Sequence, residues 1–375
     1  MAEGPNELTQ PCALATSIVR HARATHASGF LRDVAVDSGR VLGRWEMPES
    51  AFRDRDDNPR GGLRGARGAS AFGDRLVVAN AERLFIFDPS WATVGEISHS
   101  LFGGIHDILA EADGIWVTCT SADLLVKVSW EGEVLADWEW RADGELRRAL
   151  GLRRLPPVDR ALDYRDPASM RSGVRNTVHL NGVSRCPAGL LLSFGRVLSA
   201  AAYRRARRGR LLGRLASAVG VPPRPRRQRS LNAPGRIPGS TAAIVLLTES
   251  GSTSILRRSE DVSIPMHNVL WQDDRVLFND SNAGALVGGA SASAPAIEVP
   301  IPGTPSFTRG LADLGQGDLL VGSQAPLALY RVDTHSGAIT QTIDLEGQHH
   351  ESVYSICPLP ESFTSAESLS ALHRL

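Results

Sequence analysis

Five segments of the chain pair a short polar triplet with an apolar strand that begins nine or ten residues later. They are Arg67-Gly68-Ala69 before Leu76-Val77-Val78, His106-Asp107-Ile108 before Ile115-Trp116-Val117, and Asn181-Gly182-Val183 before Leu190-Leu191-Leu192. His267-Asn268-Val269 before Val276-Leu277-Phe278 and Arg309-Gly310-Leu311 before Leu319-Leu320-Val321 complete the set. A repeat of about 40 residues made of short strands is the signature of a β-propeller. In that architecture equivalent positions of successive repeats converge on one axis, so residues distant in sequence form one site.

Each repeat continues in the same way. Leu84-Phe85-Ile86-Phe87 follows the first landmark, Leu124–Val128 and Val134–Trp140 the second, and Leu327–Val332 and Ile339–Leu345 the fifth. Short strands separated by Gly and Asp turns at this spacing read as antiparallel four-stranded blades. The fourth repeat is weaker, because Gly288–Ala296 has little strand character. The ends supply a sixth blade: Val353–Cys357 reads as an innermost strand, and Ala13–Arg20, Phe30–Val36 and Val41–Trp45 supply its other strands. Closing the ring with strands from both termini removes its free edges. The expectation is an all-β, six-bladed β-propeller forming a single domain over 1–375. Its blades fall near 65–103, 103–141, 176–261, 264–301 and 305–348, with 349–360 joined to 13–46 as the last.

Two stretches lie outside this pattern. Arg141–Arg175 is charged and contains proline, and reads as a loop or short helix over one face. Arg196–Gly239 is a basic insertion in blade three. Within it Ala200–Val219 is compatible with a basic helix, while Pro222–Arg227 is not helical throughout. Such a helix over 200–219 is a conceivable membrane-surface contact. The plainer reading is a solvated loop, because Lys127 is the only lysine and the arginine content reflects composition rather than selection for a charged surface.

Composition narrows the function classes. The formal net charge is zero, which argues against general nucleic-acid binding. No apolar run approaches the ~20 residues of a membrane span. Met1–Asn6 lacks a basic region followed by an apolar stretch, so no signal peptide is expected. Cys12, Cys119, Cys186 and Cys357 are far apart and show no zinc or disulfide spacing. A cytoplasmic, reduced protein is the expectation. No phosphate-binding glycine loop or nucleophile elbow is present, and no nucleotide cofactor is indicated.

The residues aligned at the axis are Arg67, His106, Asn181, His267, Arg309 and Tyr354. His179 shares a strand face with Asn181, and His349 and His350 lie just before the last inner strand. Buried polar groups are costly unless paired, so this ring is either a hydrated structural plug or a site. Two chemistries are open. In one, His106, His179, His267 and His349 or His350 hold iron, copper or zinc, ligands that imidazole suits. That arrangement resembles, in geometry alone, the iron site of the seven-bladed carotenoid-cleaving oxygenases. In the other, His106 and His267 act as base and acid, Arg67, Asn181 and Arg309 bind a small anionic substrate, and Tyr354 donates a proton or stabilises an oxyanion. The first reading implies an oxygenase-like or metal-assisted enzyme, the second a lyase, cyclase or isomerase. A non-catalytic interaction module is the rival class.

Several segments resemble a bacterial domain family of unknown function, expected to be six-bladed propellers. They are Val178-His179-Leu180-Asn181-Gly182-Val183, Pro265-Met266-His267-Asn268, Phe307-Thr308-Arg309-Gly310-Leu311-Ala312, Leu319–Ser323 and Glu351–Tyr354. The matches fall mainly within 176–356. The family carries Met-Pro-His-Ser where this chain has Pro265-Met266-His267-Asn268. The resemblance implies the propeller and a site at His179, Asn181, His267 and Arg309. It implies no reaction.

Overall fold

The strands of the computed structural model build six antiparallel four-stranded sheets. The structure describes residues 11–22, 26–56, 63, 65–168, 176–204, 241–259, 266–281, 283–290, 295–304 and 306–365. Blade one contains β4 (Ala69–Phe72), β5 (Arg75–Ala79), β6 (Leu84–Phe87) and β7 (Thr93–Ile97). Blade two contains β8 (Ile105–Glu111), β9 (Gly114–Cys119), β10 (Leu124–Val128) and β11 (Val134–Glu139). Blade three contains β12 (Leu180–Cys186), β13 (Gly189–Val197), β14 (Thr241–Thr248) and β15 (Thr253–Ser259). Blade four contains β16 (Met266–Gln272), β17 (Arg275–Asp280), β18 (Ala285–Gly288) and β19 (Ile297–Pro300). Blade five contains β20 (Leu311–Gly315), β21 (Asp318–Gly322), β22 (Ala328–Asp333) and β23 (Ala338–Asp344). Blade six takes β24 (Glu351–Pro358) from the C-terminal part and β1 (Cys12–Val19), β2 (Gly29–Ala35) and β3 (Arg40–Glu46) from the N-terminal part.

Strand periodicity explains why the sheets stack into a ring. In β5, Leu76 and Val78 join the apolar cluster against blade six, whereas Val77 and Ala79 join the one against blade two. A middle strand is therefore buried on both faces and reads as a continuous apolar run. The same division produces six apolar clusters, one at each blade interface. Inner strands of neighbouring blades touch all the way round, including β24 against β4 and β20. Outer strands are mostly exposed or half-buried, and β3 and β15 place arginines on the open edge.

The ring is closed by charge as well as by pairing. Arg32 and Glu351 are fully buried and form an ion pair of 2.6 Å between β2 and β24. Ser17 of β1 hydrogen-bonds the same carboxylate, and Arg32 also donates to Ser17 Oγ at 3.0 Å. The other carboxylate oxygen accepts from Gln348 N at 3.0 Å.

The charged stretch after blade two begins with α1 (Gly144–Ala149), capped by Asp143, which accepts from Glu145 N and Leu146 N. The insertion departs after Val197 and turns helical at 200–204; the remainder of the expected 200–219 helix, the proline-rich part and the proposed membrane contact lie outside the described residues. Among the described residues no helix is long and apolar enough to cross a membrane.

Candidate functional site at one end of the propeller axis

The inner strands reach the axis with distorted ends. Pairing with the second strand shifts register at Ile105/Ile108, Leu180/Gly182 and His267/Val269, next to His106, Asn181 and His267. Bulges of this kind re-aim a side chain out of the regular pleat. Several non-glycine residues at the same end have left-handed backbones: Ala66 (φ 39°), Asn176 (55°), His179 (51°), Asn268 (49°) and Phe307 (42°). Asparagine adopts this backbone readily, whereas Ala66, His179 and Phe307 are strained in it and are held there by their surroundings.

The rim is divided across the axis. Blades five, six and one contribute Arg309, Tyr354 and Arg67; blades two, three and four contribute His106, His179 and His267. Arg309 lies 3.6 Å from the Tyr354 ring centroid and Arg67 5.7 Å from it. On the other half His179 is the middle ring, with centroids 4.9 Å from His106 and 6.3 Å from His267. His106 meets Tyr354 across the axis at 5.7 Å. His267 also packs edge-on against Phe307, which Arg20 covers.

Each imidazole is tethered from outside through Nδ1. His106 bonds the Gly104 carbonyl at 2.7 Å, His179 the Asn176 Oδ1 at 2.9 Å, and His267 the Ser281 hydroxyl at 2.7 Å. Arg196 holds Asn176 in turn, donating to its carbonyl at 3.1 Å and its Oδ1 at 3.3 Å. The three Nε2 atoms make no hydrogen bond to any described residue.

Charge is unbalanced here. Arg67 and Arg309 are only 4% and 5% exposed. Arg67 donates to the Ile105 carbonyl at 2.7 Å, while Arg309 forms no ion pair with a carboxylate among the described residues. Burial pulls Arg309 below its usual range, with Tyr354 and Asp107 opposing. Burial, followed by the neighbouring cations, holds all three histidines well below the ordinary imidazole range. The cations acting on His179 are Arg196, Arg309 and Arg67; Arg309 leads for His267. All three rings are therefore neutral at neutral pH.

Beneath the rim a second ring joins the blades. Asp107 accepts from Ile108 N at 3.1 Å and from Val183 N of blade three at 3.3 Å. Asn268 accepts from Gly310 N of blade five at 2.9 Å, and Ser355 from Ala69 N of blade one at 3.4 Å. The alternate blades carry Gly68, Gly182 and Gly310 at these positions. A β-carbon on Gly68 would sit 2.9 Å from the Asp107 Cα, so the close approach requires glycine. Burial raises the Asp107 carboxyl to about 7. From this level an axial cavity of about 350 Å³ opens, lined by inner strands of all six blades, with Asp107, Asn268 and Ser355 among its walls.

The structure thus assembles Arg67, His106, His179, His267, Arg309 and Tyr354. Asn181 takes a different position: its amide donates to the Met266 carbonyl at 2.8 Å and braces blade three against blade four. His349 and His350 do not join the other histidines. They lie against each other at 3.8 Å, with His21 at 5.6 Å from His350, and His349 is exposed. Their position before β24, beyond the rim residue Tyr354, explains the departure. The expected four-histidine metal set is therefore not assembled, and no group of three or more His, Cys, Asp or Glu is placed to hold a metal ion among the described residues. The Tyr354 hydroxyl is buried and finds no hydrogen bond of proper geometry among them.

Asn176, Arg196, Ser281 and Asp107 were not expected in the site. The alternation Gly68, Asp107, Gly182, Asn268, Gly310 was visible in the triplets and signals the second ring. Ser281 follows β17, whose antiparallel pairing with β16 sets Asp280 opposite Met266 and so brings the Ser281 hydroxyl beside His267.

No protein-family model matches the chain, and no curated protein matches it. Solved structures do. A protein of unknown function from Bacteroides caccae aligns over 94% of this chain and 99% of its own, at 10% identity and a TM-score of 0.52. A chain of the nidogen/laminin complex aligns over 93% and 99%, at 8% identity and the same TM-score of 0.52. The likeness is one of fold. A streptogramin B lyase structure aligns more loosely, over 80% of this chain and 73% of its own, at 13% identity and a TM-score of 0.43. That value is too low to bear on activity.

Proposed function

We propose that the axial rim binds a small anion and acts on it by acid–base chemistry, as a lyase, cyclase or isomerase does. Arg309 carries this reading. A guanidinium that is 5% exposed and has no carboxylate partner among the described residues is expensive to hold, because burying an unpaired ion costs several kcal/mol. A carboxylate or phosphate ligand is the natural counter-ion, gripped by Arg309 and Arg67. Neutral imidazoles opposite it have Nε2 lone pairs free to take a proton from the bound ligand and return it elsewhere. Tyr354, between the arginines, offers its hydroxyl to a developing oxyanion.

A histidine-bound iron, copper or zinc fits less well, since the arginines that depress the imidazoles also repel a metal cation. Four buried cysteines that form no disulfide among the described residues are in keeping with a reducing compartment such as the cytoplasm.

Thermal unfolding with inorganic phosphate and with small carboxylates tests the reading. A ligand at a hundred times its dissociation constant adds about 2.7 kcal/mol of stability. Such stabilisation is expected in the wild type and not in Arg309→Gln. No response to any anion, or an equal response in the variant, contradicts the proposal and favours the interaction-module reading.

A further inference from the structure

We infer that the ligand of this site carries a hydroxyl beside its anionic group, as a 2-hydroxy carboxylate does, and that a plain carboxylate is a poor match. The inference rests on the anion-site reading above and deepens it. Its own basis is the hydrogen-bonding character of the three imidazoles.

A carbonyl oxygen only accepts. Gly104 O and Asn176 Oδ1 therefore require a proton on Nδ1 of His106 and His179. In a neutral ring this leaves Nε2 as an acceptor, and both rings face the axis without a protein donor among the described residues. For His179 the tautomer is fixed twice over, because Arg196 donates to the same Asn176 Oδ1 and prevents the amide from turning its NH2 toward the ring. His267 differs. Its partner, the Ser281 hydroxyl, donates or accepts, so this ring is free to present Nε2–H toward a ligand.

The rim is thus polarised. Arg309, Arg67 and Tyr354 offer donors on blades five, six and one. His106 and His179 offer acceptors on blades two and three, a few ångströms across the axis at the His106–Tyr354 contact of 5.7 Å between centroids. A plain carboxylate satisfies the first half but offers no donor to the two acceptors facing it on half-buried rings, and covering them unpaired is unfavourable. A neighbouring hydroxyl donates to one of these acceptors while the carboxylate keeps the arginines, so both halves of the rim are engaged. An ammonium group also donates, but the two arginines oppose its charge.

Calorimetric titration with lactate and propionate, which differ by one hydroxyl, tests this at pH 7.5. Lactate is expected to bind at least tenfold more tightly, and Asn176→Ala, which releases the His179 tautomer, is expected to narrow that ratio. Nitrogen-15 NMR of the unsubstituted protein, which does not depend on the variant's folding, should show His106 and His179 protonated at Nδ1. Equal binding of the two acids, or protonation at Nε2 of both rings, overturns the inference and leaves the anion site standing. Failure of both acids to bind overturns the anion site as well.

Discussion

At the residue scale, the molecule tolerates several charges that water would hold more cheaply, and they fall into two kinds. Arg309 lies on the axial rim, stacked against the Tyr354 ring. Asp33 is of the other kind: it is fully buried in β2, neither carboxylate oxygen has a hydrogen-bond partner among the described residues, and burial raises its carboxyl to about 7. The same seam holds Cys12, whose thiol burial and Asp33 push up to about 12. An unfolded Asp ionises near 4. Between about pH 4 and 7 the folded state holds a proton that the unfolded state has lost, so stability falls across that window and stays reduced above it. Asp33→Asn removes the fall. Denaturant titrations at pH 4 and pH 8 should show the variant gaining on the wild type by up to about 4 kcal/mol at the higher pH. Equal differences at both pH values would show that Asp33 titrates normally. The imidazoles of the rim act in the opposite sense, losing stability as pH falls below 6.5, so the comparison must be made between variant and wild type.

Elements were more legible than the residues that join them. Middle strands such as Leu76–Ala79 announce themselves as apolar runs because both faces are buried, and the six blades followed from their spacing. Inner strands were legible as positions but not as geometry. The bulges beside His106, Asn181 and His267 depend on backbone pairing, which sequence pattern does not encode. Asn181 aligned with the rim residues, yet the turn of the bulge sends its amide to Met266. His349 and His350 were grouped with the axis on sequence proximity to β24, but that strand starts farther out than its counterparts. The second ring follows different rules. Gly68→Ala places a β-carbon 2.9 Å from both the Asp107 Cα and the Ile108 N, which are backbone atoms and do not yield easily. Blades one and two must separate, and a loss of about 2 kcal/mol or more is expected in equilibrium unfolding. Gly68→Ala with unchanged stability would mean that the inner strands are not packed this closely.

On the scale of the whole molecule, closure depends on a seam between chain segments more than 300 residues apart. Strand pairing of β1 with β24 is reinforced by the buried Arg32–Glu351 pair. Removing one partner strands the other. Glu351→Ala is expected to cost about 3–5 kcal/mol and to lower the unfolding temperature markedly. A double change of Arg32 and Glu351 to apolar residues should recover part of that loss. If the single variant is as stable as the wild type, the seam is held by backbone pairing alone. The ring that this seam closes is also what brings Arg67, Tyr354 and Arg309 together, since blade six lies between blades five and one. Opening the seam should therefore abolish anion binding before the other blades unfold.

The proposed site is an electropositive rim whose neutral histidines face the place of a bound anion. Histidine titration by NMR, with and without inorganic phosphate, reads this directly. His106, His179 and His267 are expected to titrate below the ordinary value near 6.5 in the free protein. Phosphate should raise all three in the wild type and leave them unmoved in Arg309→Gln. Ordinary titration of the three rings, with no response to phosphate or to small carboxylates, would contradict it.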